Sequence, residues 1–235
     1  MNNISSWKAQ KIWNGSDCHI IGGGPSWLSQ FEIPQTVIDS VRNKQQKMTA
    51  YAPYLSFLHN KHVIGVNGAF QLGPWISVCV FKDETWFEQY KKPLLTEFSG
   101  LRITDNEIIM EKSYVKNHIK YLKQAQGKMY GISEVDGSHA YNGNSGAFAI
   151  NVAYHFGIKR IFLYGFDMNL TGGFSHFHGD YGASWSVEVA PNHLTCFPEI
   201  ARDAKRLGIQ IYNVNPDSSI KDFPKITLQD ILKGW

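Results

Sequence analysis

The stretch SGAFAINVAYHFGIKRIFLYGFD, Ser145 to Asp167, decides the fold. Ala147, Phe148, Ile150, Val152, Ala153 and Phe156 recur with the period of a buried helix, and Gly146, Ala149 and Ala153 are small enough for close packing. Gly157 supplies a left-handed stop. Arg160-Ile-Phe-Leu-Tyr164 follows almost at once as an apolar strand that breaks at Gly165-Phe166-Asp167. A helix joined to a strand by so short a link is the second half of a strand-helix-strand unit, and that geometry favours a parallel sheet.

Upstream, Cys18-His-Ile-Ile21 is a short apolar run broken by Gly22-Gly23-Gly24-Pro25-Ser26, the pattern of strand, tight loop and helix start, with the Ser26 hydroxyl placed to cap the helix. His62 to Asn67 and Trp75 to Phe81 are two more buried-strand runs, ending at Asn67-Gly68 and near Asp83. Between Lys91 and Asn142 the periodicity weakens. Leu101-Arg-Ile and Ile108-Ile-Met110 resemble short strands, Tyr114 to Gln126 a helix, and Gly127 to Val135 another strand, so residues 91–142 are read as an acceptor-side insertion.

Downstream, Asn169 to Asn192 has no clean period and reads as a long functional loop. Leu194, Phe197, Ile200, Ala201, Ala204 and Leu207 form a helical stripe closed by Gly208, Ile209 to Val214 a further strand, and Thr227 to Leu232 a last helix with a Thr227/Asp230 capping box. The expected fold is α/β and Rossmann-like: a mostly parallel sheet with helices on both faces, forming one domain over residues 1–235.

Composition sets the bounds. With 23 Lys and Arg against 20 Asp and Glu, the formal charge of +3 is too small and too dispersed to mark a nucleic-acid binder. Hydrophobic residues at 43% and charged residues at 18% exclude disordered and coiled-coil classes. Three cysteines, widely spaced and odd in number, fit reduced buried thiols. Met1 to Gly15 has no apolar core of signal-peptide length, and no run approaches the roughly 18 apolar residues of a spanning helix, so a cytoplasmic location is expected.

In an open parallel sheet, ligands sit beyond the carboxyl ends of the strands. The candidates there are Gly22 to Ser26, Asn67-Gly68, Asp83 and Gly165-Phe166-Asp167, joined by Asn144-Ser145-Gly146 at the start of the buried helix. Glycines let the main chain approach a phosphate, and a helix amino terminus offers aligned N–H groups. Gly-Gly-Gly-Pro-Ser lacks both the GxGxxG spacing and the P-loop lysine, so each member alone reads equally well as a turn. The set carries the signal.

In order, His19-Ile-Ile-Gly-Gly-Gly-Pro-Ser26, Gly65-Val-Asn67, Asp83 with Trp86-Phe87, Asn144-Ser-Gly-Ala147, Arg160-Ile-Phe-Leu-Tyr-Gly-Phe-Asp167 and Asn213-Val-Asn-Pro-Asp-Ser218 resemble bacterial lipooligosaccharide sialyltransferases. The motility-associated-factor flagellin glycosyltransferases and archaeal hydroxymethylpterin pyrophosphokinases have similar loops. The resemblance spans residue 18 to about 220, with a poorly matching middle third. It implies a nucleotide-activated donor bound without a metal. Asn67 would then touch the phosphate or leaving group, Ser145 and Gly146 the phosphate and ribose, and Gly165 to Asp167 the base or ribose. Pro216 to Ser218 would help close the pocket. Gly23 stands where those sialyltransferases have Asn, which leaves the donor open.

Those enzymes use a histidine before the late helix to deprotonate the acceptor hydroxyl. His193 lies in that region, and His176-Phe-His178-Gly-Asp180 offers two more imidazoles, with Asp180 able to orient one. The same three side chains can also collect a divalent metal, or simply tie down the loop. Trp185 in that loop is the better stacking candidate, whereas Trp75 and Trp86 read as packing and Lys116 to Lys123 as a solvated basic face.

The leading expectation is a glycosyltransferase with no cofactor, moving a sugar from a nucleotide sugar to an acceptor hydroxyl of a glycan, protein, metabolite or modified DNA base. The alternatives are phosphoryl or nucleotide transfer from ATP with Mg, and a non-catalytic nucleotide-binding module. A homo-oligomer is compatible with either.

Overall fold

A computed structural model describes residues 4–171, 173–179 and 189–234. Its centre is a seven-stranded sheet formed by β1 (Asp17–Ile21), β2 (Val63–Val66), β3 (Val78–Phe81), β4 (Leu101–Thr104), β5 (Lys120–Tyr121), β8 (Arg160–Tyr164) and β9 (Gln210–Asn213), in the order β5-β4-β3-β2-β1-β8-β9. Every neighbouring pair is parallel. A second, two-stranded sheet pairs β6 (Lys123–Gln124) with β7 (Ser138–His139).

The chain builds outward from β1 to β5 on one side, then returns to lay β8 against the other side of β1. That reversal makes the β1/β8 boundary the topological switch point of the sheet, the region beside which ligands sit in open α/β folds.

Residue type follows the pleat. On β3, Val78 and Val80 face one side while Cys79 and Phe81 face the other; on β8, Ile161 and Leu163 oppose Phe162 and Tyr164. Both faces are therefore covered. Helix α5 (Ser145–His155) packs on one face against β1, β2 and β3, with α7 (Phe197–Leu207) against β9 beside it. Phe148, Ile150, Val152 and Phe156 of that layer are buried, each contributing about 1.5–3 kcal/mol by removal from water. The opposite layer holds α1 (Ser26–Gln30), α2 (Gln35–Arg42), the 3-10 segment Met48–Leu58 and α3 (Glu84–Thr96).

The expected stops are present. Gly157 and Gly208 are left-handed at φ +84° and +67°, and α8 (Leu228–Leu232) opens with the reciprocal Thr227/Asp230 box. The three cysteines are free and buried. Among the described residues no helix is long and apolar enough to cross a membrane.

Several expectations fail locally. Ile108 to Met110 lies in a helix, α4 (Glu107–Glu111): Asn106 caps it by accepting from Ile109 N at 3.2 Å, and Ile108 is exposed while Ile109 and Met110 are buried. Tyr114 to Gln126 is not a helix. Buried Val115 and Ile119 imitate helical spacing, but a 3-10 turn (Ser113–Val115) gives way to β5 pairing with β4 and then to β6. Gly127 to Val135 is not a strand; Gly127 and Gly131 take φ of +72° and +100°, which an extended run does not allow. Buried amides hold it instead: Asn142 exchanges two bonds with Gly131, and Asn151 of α5 accepts from Ser133 and Ala140.

His19 sits in the middle of the sheet, stacked on Phe162 and sharing a 3.0 Å hydrogen bond between Nδ1 and the Tyr164 hydroxyl. Burial pushes its pKa from 6.5 down to about 4, with Asp17 acting in the opposite direction. The unfolded chain therefore binds this proton more tightly, so the stabilising contribution is complete above pH 6.5 and is lost as the pH falls toward 4. Calorimetric melts should show stability falling by about 1–3 kcal/mol across that window from this residue. His19→Asn is expected to melt lower at pH 7 and with a flatter pH dependence; an unchanged slope would refute the assignment.

Candidate functional site

A cavity of about 400 Å³ opens at the carboxyl edge of the sheet. Its walls include Gly22, Gly23 and Gly24 after β1, Asn67 and Gly68 after β2, Asp83 after β3, and Gly165, Phe166 and Asp167 after β8. Asn144, Ser145 and Gly146 complete it from the start of α5, and His176, His178 and His193 close the far side. The distant loops singled out in the sequence thus share one rim.

The first loop is held by the strand beside it. Gly22 N donates to Tyr164 O at 2.7 Å and Gly24 N to Gly165 O at 2.9 Å, and among the described residues Gly23 is the one of the three whose amide has no backbone acceptor. Close approach explains the glycines. A Cβ on Gly24 would lie 2.5 Å from Asp167 Oδ2 and 2.7 Å from Gly165 O; one on Gly22 would lie 2.8 Å from Gly165 O. At Gly23 the obstacle is the His176 ring, 2.5 Å from the added carbon.

Ser26 does not cap α1 with its own hydroxyl. Pro25 occupies the cap position, and the cap comes from across the cleft: Asp167 accepts from Ser26 N at 3.0 Å and Ser26 Oγ at 2.5 Å. The same carboxylate accepts from Asn215 Nδ2 at 2.8 Å. Burial raises the Asp167 pKa despite these hydrogen bonds. Its oxygens are committed to the scaffold.

At the other cradle, Asn144 caps α5 by accepting from Ala147 N at 2.8 Å, and its amide donates to His193 O at 3.3 Å. The N–H groups of Ser145 and Gly146, which no helical carbonyl can reach, remain for the cavity. Gly146 must be small because a Cβ there would come 2.8 Å from Phe166 Cε1. Asn67 holds a left-handed φ of +50° and its buried Oδ1 has no hydrogen-bond partner among the described residues. Asp83 caps α3, accepting from Trp86 N at 2.6 Å.

Burial lowers the pKa of His193, and burial together with His178 and His193 pushes His176 down to about 4, so both are neutral at physiological pH. The His176 and His178 ring centroids are 5.4 Å apart. Among the described residues no three His, Cys, Asp or Glu side chains group as metal ligands. Asp180 and Trp185 lie outside the described residues.

Pro216 and Ser218 do not line the cavity. Ser218 is buried behind it, donating to Phe166 O at 2.6 Å and accepting from Asn213, while Pro216 O accepts from Lys225. Trp86 is buried in the core and Trp75 stacks on His59, as read.

The sequence reading missed Lys82, the single lysine or arginine among the described residues lining the cavity. It pairs with Asp105, donates to Tyr141 O at 3.1 Å, and Asp105 in turn meets His139 at 3.1 Å. Burial opposes ionisation of Asp105, but these two neighbours hold its pKa low. The signal was a cation at the strand end immediately before Asp83.

No protein-family model matches the chain, and no curated protein does. Among solved structures it is similar to the sialyltransferase CstII from Campylobacter jejuni in complex with cytidine-5'-monophosphate: 17% identity over 95% of this chain and 86% of that one, TM-score 0.51. A second CstII structure, with CMP-3FNeuAc, gives 20% identity over 90% and 86%, TM-score 0.52. The Maf glycosyltransferase from Magnetospirillum magneticum AMB-1 gives 13% identity over 96% of this chain, TM-score 0.59, and there the match spans 35% of the longer protein. These likenesses establish the fold, and the three solved proteins named are glycosyltransferases.

The packing at the rim makes a sharp contrast. Gly24→Ala should destabilise by about 1–3 kcal/mol in urea unfolding, because the new carbon meets backbone and a clamped carboxylate. Gly68→Ala should stay within about 0.5 kcal/mol, since its nearest neighbour would be 3.6 Å away. Equal midpoints would contradict the packing described.

Proposed function

We propose that the chain is a glycosyltransferase whose donor, a nucleotide sugar, lies across Gly23 and the Asn144–Gly146 helix start. The observation that carries this reading is the convergence of four strand ends and the α5 amino terminus on one cavity at the switch point. Its fold is shared with enzymes solved with CMP and CMP-3FNeuAc, which supports a phosphate-bearing nucleotide as ligand.

The α5 amides of Ser145 and Gly146, with Lys82 nearby, would stabilise negative charge growing on the leaving phosphate. Asn67 would meet the same phosphate. A neutral imidazole among His176, His178 and His193 would accept the proton of the acceptor hydroxyl as its oxygen attacks the anomeric carbon. Asp167 would act by position, holding the β1 and β8 loops together. No resident cofactor enters this scheme, and a cytoplasmic site of action fits the free buried thiols.

Titration calorimetry with CMP, UDP, GDP and ADP should find one nucleotide that binds and is lost on changing Gly146 to Val. With the matching sugar donor, Asn67→Ala and His178→Ala should each slow turnover by about 100-fold or more. Full turnover in both variants would remove the assignment, and AMP release from ATP with Mg would favour phosphoryl transfer instead.

A further inference from the structure

Lys82 follows β3 directly and lines the cavity, yet its side chain is only 15% exposed. It is held from the neighbouring strand end. Asn106 Nδ2 donates to the Lys82 carbonyl at 2.8 Å, and the adjoining Asp105 carboxylate, 11% exposed, pairs with the ammonium. Tyr141 O accepts from the same ammonium at 3.1 Å. An ammonium carries three hydrogens, and the third has no acceptor among the described residues.

Behind this pair stands His139 of β7, fully buried and off the cavity wall. Its Nδ1 lies 2.6 Å from Ala140 O; a carbonyl only accepts, so Nδ1 carries hydrogen. Its Nε2 lies 3.1 Å from Asp105 Oδ2, the oxygen that also meets Lys82, at ion-pair distance but off the line of a hydrogen bond. A bare nitrogen lone pair held that close to a carboxylate would be repelled. Hydrogen on both nitrogens, an imidazolium, makes the contact attractive. Burial opposes ionisation of Asp105, and its two cationic neighbours outweigh it. The other imidazole nearby, His155 of α5, is engaged by Ser138 O at 2.5 Å.

The sum of charges decides what a ligand meets. Lys82 and Asp105 alone add to zero, and with so little exposure water screens neither, so a phosphate would be repelled by one and attracted by the other. With His139 the group carries one net positive charge, turned to the cavity through Lys82. Resting on the donor-site reading above, we infer that His139 is a positioning residue: by offsetting Asp105 it leaves Lys82 both pinned and cationic toward the donor phosphate.

Nitrogen-15 NMR of the histidine rings in the full chain at pH 7, with His139 assigned through its backbone, should find both ring nitrogens protonated. A neutral ring would overturn the inference. Titration calorimetry then compares CMP, UDP, GDP and ADP each with its own nucleoside, the difference being the contribution of the phosphate. Lys82→Met and His139→Gln should each weaken the nucleotide that binds by about tenfold and leave its nucleoside within about twofold. Asp105→Asn combined with His139→Gln removes both buried charges, and should bring nucleotide affinity back to within about threefold of the unaltered protein. A purely structural role predicts the reverse, a double variant weaker than the single. That result, or a phosphate contribution indifferent to either single change, would overturn the role of His139 and leave the donor reading standing. If His139→Gln does not fold, the ring spectrum and Lys82→Met still decide. Failure of every nucleotide to bind would end the donor reading and this role with it.

Discussion

The Asp167 carboxylate is the constraint on which the rim depends. It sits at the end of β8, is almost completely buried, and accepts from the amide and hydroxyl of Ser26, which follows β1, and from Asn215, which follows β9. Three neighbouring strand ends are thereby tied to one side chain. Ser219 N donates to the Asp167 carbonyl and Ser218 to that of Phe166, so the backbone of this turn is held from below as well. A buried carboxylate survives only when its oxygens are satisfied, and the donors converge here because glycines at 22, 24 and 165 let the loops touch. The cavity shape is a consequence of this clamp.

Charge at the rim is arranged sparingly. Lys82 is already paired with Asp105, and His176 and His193 are held neutral by burial. An anion there would be met mainly by oriented N–H groups and one shared lysine. Amides at a helix start discriminate by direction, and they do not need the desolvation of a full counter-charge. Neutral imidazoles also stay available as proton acceptors.

Much of this was legible in the sequence because it rests on local signals. The α5-to-β8 unit showed itself through one uninterrupted helical stripe, a glycine stop and an apolar strand, and the strand-end residues could be named before their meeting was known. The middle of the chain was opaque for a physical reason. There β5, β6 and β7 are two residues long, too short for a period, and the Gly131 and Ser133 backbone between β6 and β7 is held by the side-chain amides of Asn142 and Asn151 rather than by a ladder. Lys82 was passed over because a lone cation beside a strand carries no pattern. The Ser26 cap was misread because the group that satisfies the helix start comes from a residue 141 positions away.

The triple glycine shows how a motif can be right in place and different in cause. Glycine at 22 and 24 is demanded by loop-to-loop contact, since their amides already serve Tyr164 and Gly165 and an added carbon would strike protein oxygen. Gly23 answers to another side chain: the His176 ring stands where any residue larger than glycine would begin. An asparagine at 23 and this imidazole cannot occupy the same space. The polar group facing the cavity at that point is therefore the His176 imidazole, on a segment that also carries His178. A change at position 23 consequently acts on the His176 ring first and on the Gly23 amide second.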